Sequence, residues 1–230
     1  QDLSDWDISS VTNLEGMFLN ANPLSGANKC AIHNAYKSNS NWPYDWSSGC
    51  WKPQNKAELQ TAVDLWVSDN SSARSNYGEI NTWDVSLITD MNSLFYGKNT
   101  FNDDIGNWDV SNVTNMAAMF LRANNFNQDI SSWNLSNVTT MYYMFREAYA
   151  FNQDISGWDV SSATDMTNMF RYLPLFNQDL SSWDVSSVTN MNEMFSGCDL
   201  FNGDISSWDV SNVISMQEMF TSTDSFNQDL

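Results

Sequence analysis

Apolar and polar positions along this chain follow a 25-residue period. Tryptophan recurs at one phase six times without a slip, and phenylalanine and methionine keep step with it. A seventh, isolated repeat runs from Trp6 to Phe18. We number the consecutive repeats one to six by their tryptophans, which are Trp83, Trp108, Trp133, Trp158, Trp183 and Trp208. A fixed period of this kind indicates units that bury their apolar groups by packing on one another.

The fifth repeat shows the pattern inside one unit. Trp183 and Val185 alternate with polar residues, which predicts a short strand with one face inward. Thr189 is a good helix N-cap. The apolar residues after it have the i, i+3, i+4 spacing of one helical turn, and they are Met191, Met194 and Phe195. We therefore predict a leucine-rich-repeat-like α/β solenoid, with short parallel strands and one short helical turn in each repeat.

Residues 19–80 break the period and predict two further elements. Asn55 and Glu58 form a capping box before apolar residues at helical spacing, so we expect an amphipathic helix that caps the main array at its N-terminal end. Cys30 and Cys50 bracket a loop without metal-site spacing, which favours a disulfide and an oxidising, extracellular setting. The expected divisions are the last repeat of a preceding array at 1–18, a disulfide-closed terminator and linker at 19–54, a capping helix and lead-in at 55–78, and a six-repeat solenoid at 79–230 that continues beyond the chain end.

An asparagine follows the phenylalanine that opens each repeat. Because a buried turn needs partners for its polar groups, we expect these side chains to form a ladder between neighbouring repeats. The ladder residues are Asn102, Asn127, Asn152, Asn177, Asn202 and Asn227.

Acidic residues form two rows, one four positions before each tryptophan and one directly after it. Two interpretations are open: the carboxylates accept backbone N–H bonds in local turns, or they bind Ca²⁺ or Mg²⁺. No calcium-loop spacing such as D-x-D-x-D-G accompanies them. The candidate cation ligands are Asp104, Asp129, Asp154, Asp179 and Asp204 in the first row, and Asp109, Asp159, Asp184 and Asp209 in the second.

The net charge limits the classes of partner that the chain can bind. The chain has 28 acidic and 9 basic residues and a net charge of −19, which disfavours nucleic acid and anionic membrane. No apolar run is long enough for membrane insertion. We expect no cofactor apart from the calcium alternative.

Catalytic chemistry has little support in the pattern. His33 is the single histidine, and carboxylate pairs recur in every repeat, whereas an active site is normally singular. Cys198 takes an alanine position of earlier repeats, as expected of a small core residue. We therefore expect a protein that is not an enzyme.

Glycosylation sequons occur at four positions, and repetition itself generates three of them. Asn70, in a serine-rich segment, is the most suitable acceptor. The candidate acceptors are Asn70, Asn112, Asn134 and Asn137.

The repeated W-D-V-S-x-V-T-x-M-x-x-M-F unit, with its F-N-Q-D-I/L-S link, resembles the BspA-like surface-protein repeats, also known from Mycoplasma lipoproteins as a family of unassigned function. The resemblance covers residues 80–230 and 1–18. It implies a leucine-rich-repeat-like solenoid displayed on a cell surface, and it implies no catalytic residues.

These observations favour a non-enzymatic extracellular module, structural or adhesive, in a long cell-surface or filament protein. The alternative is a cation-dependent module that binds a ligand or surface. The expected partners are a protein or glycan at a surface, contacted through variable positions such as Tyr142-Tyr143 and Asn192-Glu193, or further copies joined end to end. Ice or mineral binding is the least favoured alternative, because the repeated threonines resemble N-caps.

Overall fold

The computed structural model describes residues 3, 6–19, 24, 26–44, 46 and 50–229. Within these ranges, α-helix is confined to the region before the array. Helix α1 spans Gly26–Tyr36, α2 spans Lys56–Ser68 and α3 spans Asn70–Tyr77, and a 3₁₀ turn at Ile80–Thr82 leads into the first repeat. None of these helices combines the length and apolarity that a membrane span requires.

The six repeats lie one on the next, with the same contacts at each step. Equivalent phenylalanine rings stack, with centroids 5.3 Å apart for Phe95 and Phe120. The tryptophan indole donates to a carbonyl of the preceding repeat, as in the 3.2 Å bond from Trp133 Nε1 to Ile105 O. Because the rings of one repeat are buried by those of its neighbours, the array has one continuous apolar interior.

The predicted strands are wrong. In the part of the chain that the structure describes, β-pairing between repeats is confined to single-residue parallel bridges, such as Asn115 with Thr140, and no sheet forms. In the fifth repeat, Asp184 Oδ1 accepts the Ser186 N–H at 3.0 Å, and Val188 N–H donates to Val185 O at 2.9 Å. These turns use the amides that a strand ladder would need, so the chain bends instead of extending.

The predicted helical turn is also wrong, and with it the leucine-rich-repeat-like α/β fold class. Glu193 and Gly197 have left-handed backbone, with φ of 53° and 75°, which a right-handed helical turn excludes. Thr189 Oγ1 donates to Thr164 O at 3.1 Å and so bonds the preceding repeat instead of capping a helix. The apolar spacing that suggested a helix comes from a series of tight turns.

Helix α2 covers the N-terminal end of the array. Asn55 Oδ1 accepts the Glu58 N–H at 3.0 Å and so caps the helix, and Glu58 Oε2 accepts the N–H of Gln54, the residue before the cap, at 2.8 Å. Its apolar side packs into the interior of the array, and the buried residues are Leu59, Ala62, Val63 and Trp66. Ion pairs join the cap region to the first repeat at Lys52–Asp84, Lys56–Asp90 and Asp64–Lys98.

The isolated repeat has its own small core. Ile8 and Leu14 pack against Ile32 and Tyr36 of α1. The predicted disulfide is confirmed, since Cys30 on α1 is bonded to Cys50. Helix α1 itself lies within the segment predicted to be a disulfide-closed terminator and linker.

Candidate interaction surface

Each repeat contains a seven-residue segment that we call the ladder segment, and in the first five repeats the backbone of this segment contacts the next repeat. In the first repeat it spans residues 91–97, and its N–H groups donate to carbonyls of the second repeat at 2.8–2.9 Å. The donors are Met91, Ser93, Phe95 and Gly97. Two positions in the segment have left-handed φ, which turns the alternate amides toward one side. Because the backbone makes these bonds, the outward side chains of the segment can differ from repeat to repeat.

The ladder segments of the third and fourth repeats bring tyrosine and arginine side chains together. We call this group the tyrosine–arginine face. Arg146 lies over the ring of Tyr143 at 5.4 Å and over that of Tyr172 at 6.0 Å, and Arg171 lies over Tyr172 at 4.5 Å. Tyr142 contacts Tyr143 edge to face at 5.4 Å. The face therefore links two repeats through cation–π contacts.

Glutamates hold these arginines in place. Arg146 pairs with Glu147 at 3.2 Å, and Arg171 pairs with Glu193 of the fifth repeat at 2.5 Å. Glu147 also pairs with Arg122 at 2.8 Å, and the hydrogen bond from Arg122 to Glu147 raises the pKa of that guanidinium above its ordinary value. Pairing fixes long side chains that would otherwise be mobile, so the face presents planar groups in defined positions.

This face differs in charge from the rest of the array. All four basic residues after position 79 lie in the ladder segments or directly beside them, and they are Lys98, Arg122, Arg146 and Arg171. Elsewhere the repeats carry rows of aspartate. Tyr and Arg are, with Trp, the residues enriched in binding hot spots, and this face brings Tyr and Arg together.

The carboxylates of both aspartate rows accept hydrogen bonds within their own turns. In the first row, the side-chain oxygens accept the N–H two residues later, as in the 2.9 Å bond from Ser156 N to Asp154. Distances in this row are 2.8–2.9 Å, and its residues are Asp104, Asp129, Asp154, Asp179 and Asp204. In the second row they are 3.0–3.1 Å, and its residues are Asp109, Asp159, Asp184 and Asp209.

These bonds favour the ionised carboxylates. The backbone N–H of Ser156 lowers the pKa of Asp154 from its ordinary value of 3.8, and the N–H of Ser131 does the same for the pKa of Asp129. In the first repeat, burial alone would raise the pKa of Asp84, but hydrogen bonds from Ser86 and Lys52 outweigh it and lower that pKa. The charges are thus stabilised one by one within their own turns.

The described residues of these rows do not form a metal site. Among the described residues, no three His, Cys, Asp or Glu side chains come together as a metal ligand set. Asp2, at the first-row position of the isolated repeat, lies outside the described residues.

The asparagine side chains form a continuous ladder. Asn102 Oδ1 accepts the Asn127 N–H at 2.8 Å, and the same bond recurs in each later repeat at 2.8–3.0 Å. Its members are Asn102, Asn127, Asn152, Asn177, Asn202 and Asn227. These amides serve the stacking of repeats.

The sequon asparagines also make bonds within the protein. Asn112 Nδ2 donates to Ser86 O at 2.9 Å, and Asn137 Nδ2 donates to Ser111 O at 2.8 Å, so both acceptor nitrogens bond the preceding repeat. Asn134 Oδ1 accepts the Ser136 N–H at 3.0 Å. Asn70 begins α3, and its Oδ1 accepts from Arg74 Nε at 2.6 Å.

Two residues with reactive side chains are held in structural roles. Cys198 is buried and donates to Phe170 O at 2.9 Å, and burial raises the pKa of its thiol to about 12. Trp42 Nε1 lies 3.3 Å from Nδ1 of His33. Both contacts belong to packed cores.

The repeats and their ladder segments coincide with a family match. The model of a family described as "Mycoplasma protein of unknown function, DUF285" matches residues 1–41, 65–174 and 153–230. The chain belongs to the DUF285 family. The DUF285 match includes the isolated repeat and all six repeats of the array, which confirms a Mycoplasma-type repeat family at the coarse level. No curated protein and no solved structure matches the chain.

The sequence identified only part of the surface of this DUF285 protein. Tyr142 and Tyr143 stand out as variable positions, but Arg146, Arg171 and Tyr172 were not singled out as their partners. Comparing equivalent positions across the repeats reveals the signal, because every basic residue after position 79 lies 13 to 15 residues after the tryptophan of its repeat.

Proposed function

We propose that this protein is a non-enzymatic, extracellular module of a cell-surface or filament protein, and that it binds a glycan or protein through the tyrosine–arginine face. The single observation that carries the proposal is the contrast between repeated and variable residues. The repeated Asp, Asn, Thr and Trp side chains make bonds within or between repeats. The variable positions bring Tyr143, Arg146 and Tyr172 together on the outside.

Several features support an adhesive role over catalysis. The face is partly exposed, with Tyr172 40% exposed. Its arginines pair with glutamates, and its planar groups suit the rings of a sugar or the aromatic side chains of a protein. The carboxylates, which are the groups that a hydrolase would need, accept backbone amides in each repeat. The disulfide supports an oxidising location. The resemblance to BspA-like surface repeats supports display on a cell.

Location is tested first, on intact cells that produce the protein. A membrane-impermeant biotin reagent should label the chain through its exposed lysines, while a cytosolic marker protein in the same cells stays unlabelled. If the chain becomes labelled only after the cells are lysed, the extracellular part of the proposal fails.

Binding is tested with the fluorescently labelled chain on an array of purified neutral and acidic glycans. We expect signal on a subset of glycans, and a loss of more than about tenfold in the Tyr143→Ala and Tyr172→Ala variants, because a hot-spot aromatic contributes more than about 1.4 kcal/mol. Leu87→Ala, at an exposed apolar residue outside the face, is the matched control. Glycan binding that both tyrosine variants retain would rule out this face as the glycan site.

A further inference from the structure

A cleft opens beside α2, between this helix and the aromatic residues that lead into the first repeat. Its volume is about 360 Å³, which is within the size range of small-molecule sites. Two aromatic rings, those of Trp51 and Tyr77, line it from one direction. Ala57, Glu58 and Thr61 line it from the other, and their spacing places them on one side of α2. We call it the cap cleft.

The two rings of the cap cleft are held in fixed positions. Their centroids lie 4.5 Å apart, with 47° between the ring planes. Both rings contact the buried indole of Trp83, at 4.9 Å for Trp51 and 6.0 Å for Tyr77. The carbonyl of Trp51 accepts the Asp84 N–H at 3.0 Å, which ties its backbone to the first repeat. A ligand of the cleft therefore meets partly exposed rings that need no ordering.

Glu58 gives the cap cleft a negative charge. Its oxygens accept from uncharged groups, the backbone N–H of Gln54 at 2.8 Å and Nδ2 of Asn55 at 3.3 Å. Within the part of the chain that the structure describes, no lysine or arginine pairs with it. The basic residues of this region pair with other carboxylates, in the pairs Lys52–Asp84, Lys56–Asp90 and Arg74–Glu79. The cleft thus combines aromatic rings with a carboxylate that no cation of the chain neutralises.

This combination favours a cation, and the hydrogen bonds around it indicate which kind. The faces of Trp and Tyr rings attract cations, and aromatic sites of this type recognise quaternary ammonium groups. A primary ammonium brings three N–H donors that need acceptors, whereas the Glu58 oxygens already accept two bonds and Thr61 Oγ1 donates to Ala57 O at 2.8 Å. A quaternary ammonium brings no N–H donor, and its methyl groups suit the two rings.

We propose that the cap cleft binds a quaternary ammonium group of the choline type. Trp51 and Tyr77 contact its methyl groups, and Glu58 balances its charge. The net charge of −19 favours the approach of a cation to the protein. The site lies on the cap region, so it is separate from the tyrosine–arginine face of the third and fourth repeats and goes beyond the proposed function.

Isothermal titration calorimetry of the intact chain tests the proposal with three probes. The first is choline, the second is ethanolamine, which has a primary ammonium, and the third is the uncharged isostere in which a tert-butyl group replaces the trimethylammonium group. We expect choline to bind and both analogues to bind at least about tenfold more weakly, because one lacks the methyl groups and the other lacks the charge.

Variants of the cleft separate the roles of ring and charge. Tyr77→Leu removes one ring and should weaken choline binding by about tenfold, whereas Tyr77→Phe keeps the ring and should bind as wild type. Glu58→Gln keeps an oxygen for the Gln54 N–H but removes the charge, so it should also weaken binding. Glu218→Gln removes the same charge from the sixth repeat and is the matched control. Near-UV circular dichroism checks that each variant is folded.

The outcomes decide both the site and the source of the ligand. Absence of choline binding to wild type would overturn the proposal, as would an uncharged isostere that binds equally well or folded Tyr77→Leu and Glu58→Gln variants that retain full affinity. Albumin that carries phosphocholine groups is the second ligand: its capture by wild type assigns the site to choline displayed on larger molecules, and binding of choline alone assigns it to the free solute. Tyr143→Ala and Tyr172→Ala should keep choline binding, so the two sites succeed or fail separately.

Discussion

At the scale of single residues, each repeated polar side chain makes a hydrogen bond that recurs at the equivalent position of the next repeat. The indole N–H of Trp133 reaches Ile105 O, and the Asn127 side chain accepts from the Asn152 backbone. The indole N–H of Trp133 lies in the dry interior, where an unpaired polar atom costs about 1–3 kcal/mol. The repeat is therefore as much a pattern of hydrogen bonds as of apolar contacts.

The tryptophan bond gives a first prediction. Trp133→Phe keeps an aromatic ring but removes the donor to Ile105 O and leaves a gap, so we expect a loss of about 1–3 kcal/mol in the free energy of unfolding. Urea denaturation followed by circular dichroism measures it. Trp6→Phe, at an exposed indole, is the control and should change stability by less than about 0.5 kcal/mol. Equal losses at both sites would contradict the role of the inter-repeat bond.

The aspartate turns predict a dependence on pH. The folded-state pKa values of Asp129, Asp154 and Asp204 are lowered below 3.8 by Ser N–H bonds. Their stabilising contribution is thus complete above pH 3.8 and is lost as pH falls through the folded-state values. The triple Asp→Asn variant keeps the acceptor oxygen, as Asn134 already does with Ser136. Its melting midpoint should fall less than that of wild type below pH 4, and identical profiles would argue against these shifts.

At the scale of elements, the array replaces strands and helices with ladder segments. Left-handed residues such as Tyr143 and Glu193 turn the amides along the stack, so the bonds between repeats run through alternate residues. Helix α2 closes the end where the carbonyls of this ladder would otherwise lack donors, and Gln60 Nε2 donates to Leu94 O at 3.0 Å. The cap is both an apolar cover and a source of donors.

Removing the apolar cover should destabilise the array. Leu59 is fully buried under the first repeat, so Leu59→Ala should lower the free energy of unfolding by about 2–5 kcal/mol. Val67→Ala, on the exposed side of the same helix, should have an effect within about 0.5 kcal/mol. Equilibrium unfolding in guanidinium compares the two. Similar effects at both positions would show that α2 does not function as a packed cap.

The three cysteines predict how the chain reacts with a thiol reagent. The native chain should react only slowly with a thiol reagent, because Cys198 is buried and its pKa is raised to about 12. Unfolding without reductant should expose one thiol, and reduction in denaturant should expose all 3 cysteines. Three reactive thiols before reduction would contradict the disulfide.

At the scale of the whole molecule, charge is distributed unevenly. The net charge of −19 includes the carboxylates of the aspartate rows, while lysines tie the cap region to the first repeat and arginines mark the tyrosine–arginine face. Since each carboxylate of these rows accepts an N–H bond within its own turn, we expect the stack to hold together without a cation.

This arrangement predicts that chelation leaves the fold unchanged. Excess EDTA should not shift the thermal midpoint, and CaCl₂ should raise it no more than MgCl₂ at equal concentration, because both only screen surface charge. Differential scanning calorimetry makes the comparison. A calcium-specific rise that EDTA reverses would show that the aspartate rows ligate calcium, and would favour the cation-dependent alternative.

Part of this architecture could be predicted from sequence. A long motif in strict register predicts repeats, Asn55 with Glu58 predicts a helix start, and paired cysteines predict a disulfide, because these signals are local or periodic. The strand and helical turn were wrong because apolar spacing reports which side chains face inward and leaves φ undetermined. Tyr143 and Glu193 carry no sequence signature of left-handed backbone, since such residues usually avoid it.

The sequence by itself determined the period, the apolar positions, the cap helix, the disulfide and the imbalance of charge, since each follows from residue type and spacing. Only the tertiary structure decided that repeats join through backbone ladders, that the aspartate rows are occupied by their own turns, and that Arg146 and Arg171 meet Tyr143 and Tyr172. These depend on how one repeat sits on the next. The physical reason is that the stack sets the backbone angles, because amides buried between repeats must find acceptors in a neighbour.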